Sequence, residues 1–166
     1  MDPISQGVLG ASFAQAAAKN KEKIIAAAWF GALAGMAPDL DVVIQSPSDP
    51  LLFLEFHRQF THALIFIPLG ALLVAWPLFK LQVRFFQPYL SLRESYLFCL
   101  LGYATHGLLD ACTSYGTQLL WPFSDERFAW NNISIIDPLF TLPLLVLVVL
   151  AGYKRRRGFA IAACLW

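Results

Sequence analysis

Three imidazoles and a few carboxylates are the groups in this 166-residue chain equipped for metal or acid–base chemistry. His57 and His62 sit in the stretch FHRQFTHA, residues 56–63, with Arg58 and Thr61 between them and a long apolar run directly behind. Imidazoles beside a membrane-length segment are costly to bury and need partners. His106 and Asp110 stand four apart, a spacing that leaves about 40° between them on a helix, so both face one way. Asp39 and Asp41 flank Leu40 in PDLD, residues 38–41. Residues two apart point to nearly opposite sides of an α-helix but share a face of extended chain. Both carboxylates therefore reach one site only where the chain leaves the helix, and Pro38 disfavours helix just before it. His57 and His62, five apart, converge if His57 lies in a loop and Thr61 caps a helix beginning near His62.

Three His and three Asp make a mixed nitrogen and oxygen donor set suited to a divalent metal ion, Zn first and Mn or Fe after it. Such a set holds one metal with spare acid–base groups, or two metals sharing a carboxylate. Either arrangement supplies a hydroxide nucleophile at neutral pH.

The elements that must position these groups are apolar. The chain is 58% hydrophobic and 14% charged, with a mean hydropathy of +0.59. A soluble domain carries about a quarter charged residues, so the shortage of charge decides the class. The reading is an all-α, polytopic transmembrane helical bundle, a single integral-membrane domain over residues 1–166. Residues 4–18 are Ala-rich, with Ser5, Ser12 and Gln15 in one arc, suited to close helix packing. After the loop KNKEK (19–23) comes a second apolar segment, 24–37. Both fall short of the roughly 20 residues of a span, and a buried helical hairpin is expected. Residues 45–50 read as a loop. Residues 63–79 read as a spanning helix containing Pro68 and Pro77, followed by a basic connection with Lys80, Arg84, Pro88 and Arg93. Residues 95–112 are the next span, 113–137 a long polar stretch, and 139–153 a further span closed by Lys154 to Arg157. Asp137-Pro138 predicts a helix N-cap with Pro at the first position. Residues 158–166 are apolar but too short to cross, so they lie at the interface or begin a longer segment. MDPISQG lacks the basic region of a signal peptide, so the first segment is expected to stay. Cys99, Cys112 and Cys164 read as small buried hydrophobes. No basic stripe or stacking motif points to nucleic acid, and the oligomeric state is open.

The basic clusters at 19–23, 80–93 and 154–157 belong on the cytoplasmic side of a multi-pass inner-membrane protein. Alternating spans then send Asp39, Asp41, His57, His62, His106, Asp110 and the 113–137 segment to the opposite face. The charge rule did not require that coincidence, which predicts a metal site at one, non-cytoplasmic, membrane face.

The sequence also resembles the YdjM-like family of bacterial and archaeal inner-membrane, metal-dependent hydrolases. The resemblance runs through MDPISQGVLGA, GALAGMAPDLD, HRQFTHA, THGLLDACTSYGTQLLWPFS and IIDPLFTLP, almost the whole chain. Ala63 stands where the family pattern usually has Ser. The resemblance implies Asp39, Asp41, His57, His62, His106 and Asp110 as the metal ligands, with Asp39, His106 and Asp110 closest to catalysis. A more remote similarity, in helical His/Asp spacing alone, is to zinc-dependent phospholipases C; three histidines here allow at most two metals. It points to hydrolysis of a phosphoester or lipid-linked substrate, with membrane lipids as surroundings. Arg58 and Arg127 are then candidate phosphate clamps. Trp121, in an aromatic-rich segment suited to the headgroup region, is a candidate substrate contact. A metal-binding or transport protein, and a membrane protein stapled by a metal, are the alternative readings.

Overall fold

Asp2 caps the first helix, accepting the Ser5 N–H at 3.0 Å, with Pro3 in the first turn where its missing N–H costs nothing. The computed structural model describes residues 1–46, 48–49, 51–52, 56–85 and 90–166. Pro88 and parts of the 45–50 loop lie outside the described residues. The α-helices are α1 (Pro3–Ala17), α2 (Ile24–Met36), α3 (Ile67–Phe85), α4 (Leu92–Ala111), α5 (Pro138–Lys154) and α6 (Arg157–Leu165). Short 3-10 helices cover Lys21–Lys23, Ala37–Val43, Phe60–His62 and Leu64–Phe66. Among the described residues there is no strand, only two isolated bridges, Ser46 with Asp49 and Thr117 with Phe128.

Helix α1 is the central element, packed by α2, α4, α5 and α6. Its small residues allow this, and its polar ones are buried with partners supplied from far along the chain. Gln6 Nε2 donates to Asp110 Oδ1 at 2.9 Å, Gln15 Nε2 donates to the Val148 carbonyl at 3.3 Å, and Ser5 Oγ lies 2.5 Å from Thr141 Oγ1. One apolar cluster joins α2, α3 and α4 through Ala27, Phe30, Ala71, Ala75, Phe98 and Cys99. Another joins α1, α5 and α6 through Val8, Ala11, Leu144, Val148 and Ala163. The residues after Tyr153 thus form a helix docked on the bundle.

Helices α1, α2 and α4 meet where side chains are absent. A Cβ at Gly10 or at Gly102 would collide with the Gly31 carbonyl. Gly102→Ala must therefore push α4 off α2, and overpacking of this kind costs about 1–3 kcal/mol. A lower melting temperature in detergent is expected; an unchanged one would mean that the helices do not pack this closely.

The second apolar segment forms α2 with the expected bounds to within a residue, Ile24–Met36. The 3-10 turns on either side extend it to a continuous helical run of 23 residues, Lys21–Val43, a candidate membrane span. Leu64–Gln82 is a second candidate membrane span of 19 residues, little of it buried inside the protein. Pro138–Lys154 is a shorter apolar helix. Large apolar side chains face outward along these helices, among them Trp29, Leu73, Trp76 and Val149, an outer surface too apolar for water.

The two ends of the bundle differ in charge. At one end Lys23 Nζ lies 2.5 Å from Glu94 Oε1, tying the start of α2 to the start of α4. The Lys23 ammonium holds the Glu94 carboxyl below the usual glutamate range. Ser91 completes a capping box with Glu94. Asp137, at the opposite end beside the start of α1, caps α5 as the Asp-Pro pair predicts, accepting the Phe140 N–H at 3.1 Å. At the other end lie the start of α1, the continuation of α2 and the close of α4, and there the candidate site forms.

Candidate metal centre

Four elements deliver the donors. His106 and Asp110 project from the last two turns of α4, both fully buried, on the shared face their spacing predicts. Asp39 and Asp41 come from the 3-10 segment Ala37–Val43. The chain leaves the α-helix there, but into 3-10 helix and not into the extended form that the PDLD spacing suggested. At about three residues per turn, positions two apart sit roughly 120° apart instead of the α-helix's 160°, enough to aim both carboxylates inward. His57 lies in a turn, and His62 ends the 3-10 helix Phe60–His62. Thr61 does not cap a helix; α3 starts only at Ile67.

Asp39, His62, His106 and Asp110 each turn one donor atom toward the others, all within 4.8 Å. Asp39 Oδ1 lies 3.4 Å from His62 Nε2 and 3.3 Å from His106 Nε2. Asp110 Oδ2 lies 3.3 Å and 3.5 Å from the same nitrogens. The two nitrogens are 2.9 Å apart. In a tetrahedral zinc site, bonds of about 2.0–2.1 Å separate the donor atoms by roughly 3.3–3.4 Å. Three of these five separations fall in that range, and the 3.5 Å one lies just above it.

The outer partners decide where the protons are. His106 Nδ1 is 2.5 Å from the Gly35 carbonyl, which can only accept, so Nδ1 carries a hydrogen and Nε2 is the nitrogen whose lone pair a metal would take. Thr61 Oγ1 donates to Asp41 Oδ2 at 3.0 Å, so its oxygen accepts from His62 Nδ1 at 2.9 Å. His62 then also keeps Nε2 as its inward nitrogen. Two imidazole nitrogens and two carboxylate oxygens facing one another need a positive charge among them, a proton shared by the nitrogens or a metal ion in its place. Outer partners of this kind fix the tautomers of metal-bound histidines. Buried Asp110 Oδ2 accepts no hydrogen bond among the described residues, although Arg58 Nε is 3.2 Å away; the Arg58 N–H is not aimed at it. The donor set fits a divalent metal ion.

Asp39 also belongs to a second group, with Asp41 and His57. His57 Nδ1 is 2.8 Å from Asp41 Oδ1. This group is more open than the first, with the His57 side chain 15% and that of Asp39 23% exposed.

Arg58 is buried and turned inward, 5% exposed. Its Nη1 donates to Thr113 Oγ1 at 3.2 Å, and its guanidinium lies 4.6 Å from the centre of the Tyr115 ring. The backbone is left-handed there, φ 63°, a conformation that costs a non-glycine residue about 1–2 kcal/mol. It lets the Arg58 N–H donate to Asp41 Oδ2 at 3.0 Å while the side chain reaches Asp110. Arg127 Nη1 donates to the His57 carbonyl at 3.3 Å. Trp121 rests near Phe60, ring centres 6.2 Å apart. Both border the stretch carrying the two histidines. Segment 113–137 is fastened over that stretch by the Gln118 N–H to the Arg58 carbonyl, 3.0 Å, and the Leu64 N–H to the Leu119 carbonyl, 2.9 Å.

Two contributors carry no signal of their own in the sequence. The Met1 amino group forms a buried ion pair with Asp110 Oδ1, and Gln6 holds the same oxygen. Together they fix the Asp110 carboxylate with Oδ2 toward the histidines. Gln6, a long polar side chain among the small residues of α1, was the available clue.

No solved structure matches this chain. Over 109 residues it is 33% identical to the inner membrane protein YbcI of Escherichia coli (strain K12), covering 63% of this chain and 60% of that one. Over 119 residues it is 28% identical to the uncharacterized protein YfhP of Bacillus subtilis (strain 168), covering 71% of this chain and 35% of that one. The matches therefore take in between about a third and three fifths of the length of these curated relatives. The profile of the YdjM inner membrane protein family fits residues 1–166 from end to end, and the chain belongs to that family.

Proposed function

We propose that the protein is a multi-pass membrane metallohydrolase whose site opens on the non-cytoplasmic side and acts on phosphoester or lipid-linked substrates. The observation that carries this reading is the sharing of Asp39 between two adjacent donor groups, the second of them partly exposed. Paired metal positions joined by a carboxylate are a recurrent arrangement for phosphoester hydrolysis. Asp39, His62, His106 and Asp110 would hold the first ion, zinc by its donors, and Asp39, Asp41 and His57 a second. When bound, such ions lower the pKa of water and polarise a phosphoryl oxygen. His57, held through Nδ1 by Asp41, would bring its other ring nitrogen to the second ion at the open edge of the site. Segment 113–137 covers that edge, and its Trp121 and Phe123 suit the headgroup depth of a bilayer. The multi-pass topology is supported by the candidate spans and by the clustering of Lys and Arg at the end of the bundle away from the donors.

A metal staple is the second reading, because four protein donors complete a tetrahedron and structural sites are closed in that way. Metal-loaded protein should hydrolyse a phosphodiester, and His57→Ala should lower turnover at least tenfold while the first ion stays bound. Trp121→Ala should slow hydrolysis of a phospholipid in bilayers more than that of a soluble phosphodiester. Bound metal with no turnover on either substrate, and a melting temperature that tracks metal content, would replace the hydrolase by the staple.

A further inference from the structure

The end of the bundle opposite the donors holds a feature the metal chemistry leaves unused. A basic cleft of about 350 Å³ lies between the α1–α2 loop and the α5–α6 junction, lined by Lys19, Lys21, Arg155, Arg156 and Arg157. No acidic residue lines it. Among the described residues Glu94 is taken by Lys23, so that carboxylate does not neutralise the cleft. Arg155 is left-handed, φ 50°. The break it makes between α5 and α6 brings three consecutive arginines against Lys19 and Lys21. Arg155 also lines the mouth of an adjoining groove of about 510 Å³ between α2 and α3. The groove walls are apolar, with Ile25, Trp29, Leu33, Leu78 and Leu81 along them, and only Glu22, Gln82 and Arg155 are polar.

An apolar trough that opens into a cationic cleft has the two halves of an anionic phospholipid. We propose that this end of the bundle binds one, its phosphate among Arg155, Arg156, Lys19 and Lys21 and an acyl chain between α2 and α3. The charges select the occupant: a neutral lipid or detergent fills the groove but leaves five cations against one carboxylate, Glu22 of the adjoining groove. The inference rests on the membrane setting of the family and not on the hydrolase reading, since none of these residues touches the donor groups. Basic pockets at membrane helix ends recognise anionic headgroups in this way.

The test uses the full chain in nanodiscs and native mass spectrometry, with phosphatidylglycerol and phosphatidylcholine offered in equal amounts. Wild type should retain phosphatidylglycerol over phosphatidylcholine by at least about tenfold. The preference should fall to near unity in Arg155→Gln/Arg156→Gln, and also in Lys19→Gln/Lys21→Gln, a pair in an exposed loop with no packing to lose. Leu33→Trp, which fills the groove, should reduce retention of both lipids, with the melting temperature checking that each variant is folded. Equal retention of the two lipids by wild type overturns the proposal, as does a preference that survives both double substitutions. Glycerophosphoglycerol competing as well as the intact lipid would remove the groove from the site and overturn it too.

Discussion

His106→Ala protein should purify without its metal. His106 lies at 0% exposure and supplies one of the four inward donors, so its loss opens one corner of the tetrahedron and no neighbouring group can fill it. Removing an outer partner of a metal site already lowers affinity about 10–100-fold, and removal of a donor should exceed the upper end of that range. His62→Ala should behave alike. Thr61→Val keeps every donor but removes the hydroxyl that fixes the His62 tautomer, and belongs at the milder, 10–100-fold level. Elemental analysis after dialysis against a chelator of known affinity separates the three. Full occupancy in His106→Ala would end the metal reading, whatever the activity assays show.

Asp110→Ala should do more damage than either histidine substitution, because it also loses stability that has nothing to do with metal. Its carboxylate balances two buried positive groups, the Met1 amino group and the Arg58 guanidinium. Breaking a buried pair from one side typically costs about 3–5 kcal/mol, since the partner charge is left stranded. The comparison is made in excess chelator, so that both proteins are metal-free and only the ion pairs differ. Asp110→Ala should then melt well below wild type, and His106→Ala should stay closer to it. Equal melting of metal-free wild type and Asp110→Ala would show that Asp110 is a ligand alone.

Local spacing was the legible part of the site. His106 and Asp110 needed only the helical period, and the clustering of all six donors at one end followed from where the Lys and Arg residues fall. The PDLD step was half legible: Pro38 announced a departure from the α-helix, but the choice between 3-10 and extended chain depends on what the two carboxylates find. Asp41 finds His57, Thr61 and the Arg58 N–H, all some twenty residues away or less, yet nothing in their identities gives the geometry. Thr61 looked like a cap because Thr before an apolar run usually is one. Its hydroxyl is instead claimed by Asp41 and His62, a tertiary demand that overrides the local habit. Gln6 and Met1 were invisible for the same reason, since their partner lies more than a hundred positions downstream. The second α-helix was legible to within a residue, while the 3-10 turns that extend it to Val43 were not, because Asp39 and Asp41 interrupt the hydropathy there.

The partners of α1 also set a timetable. Its buried polar groups wait for Asp110, Thr141 and Val148, residues that leave the ribosome long after α1 itself. A newly made α1 facing lipid would carry Ser5, Gln6 and Gln15 with nothing to bond, which hydrocarbon penalises. Those bonds can form only once α4 and α5 have been made. Any ion these donors take up would find the set incomplete until residue 110 has emerged. A nascent chain halted at residue 100 carries Asp39, Asp41, His57 and His62 without the two donors that α4 supplies.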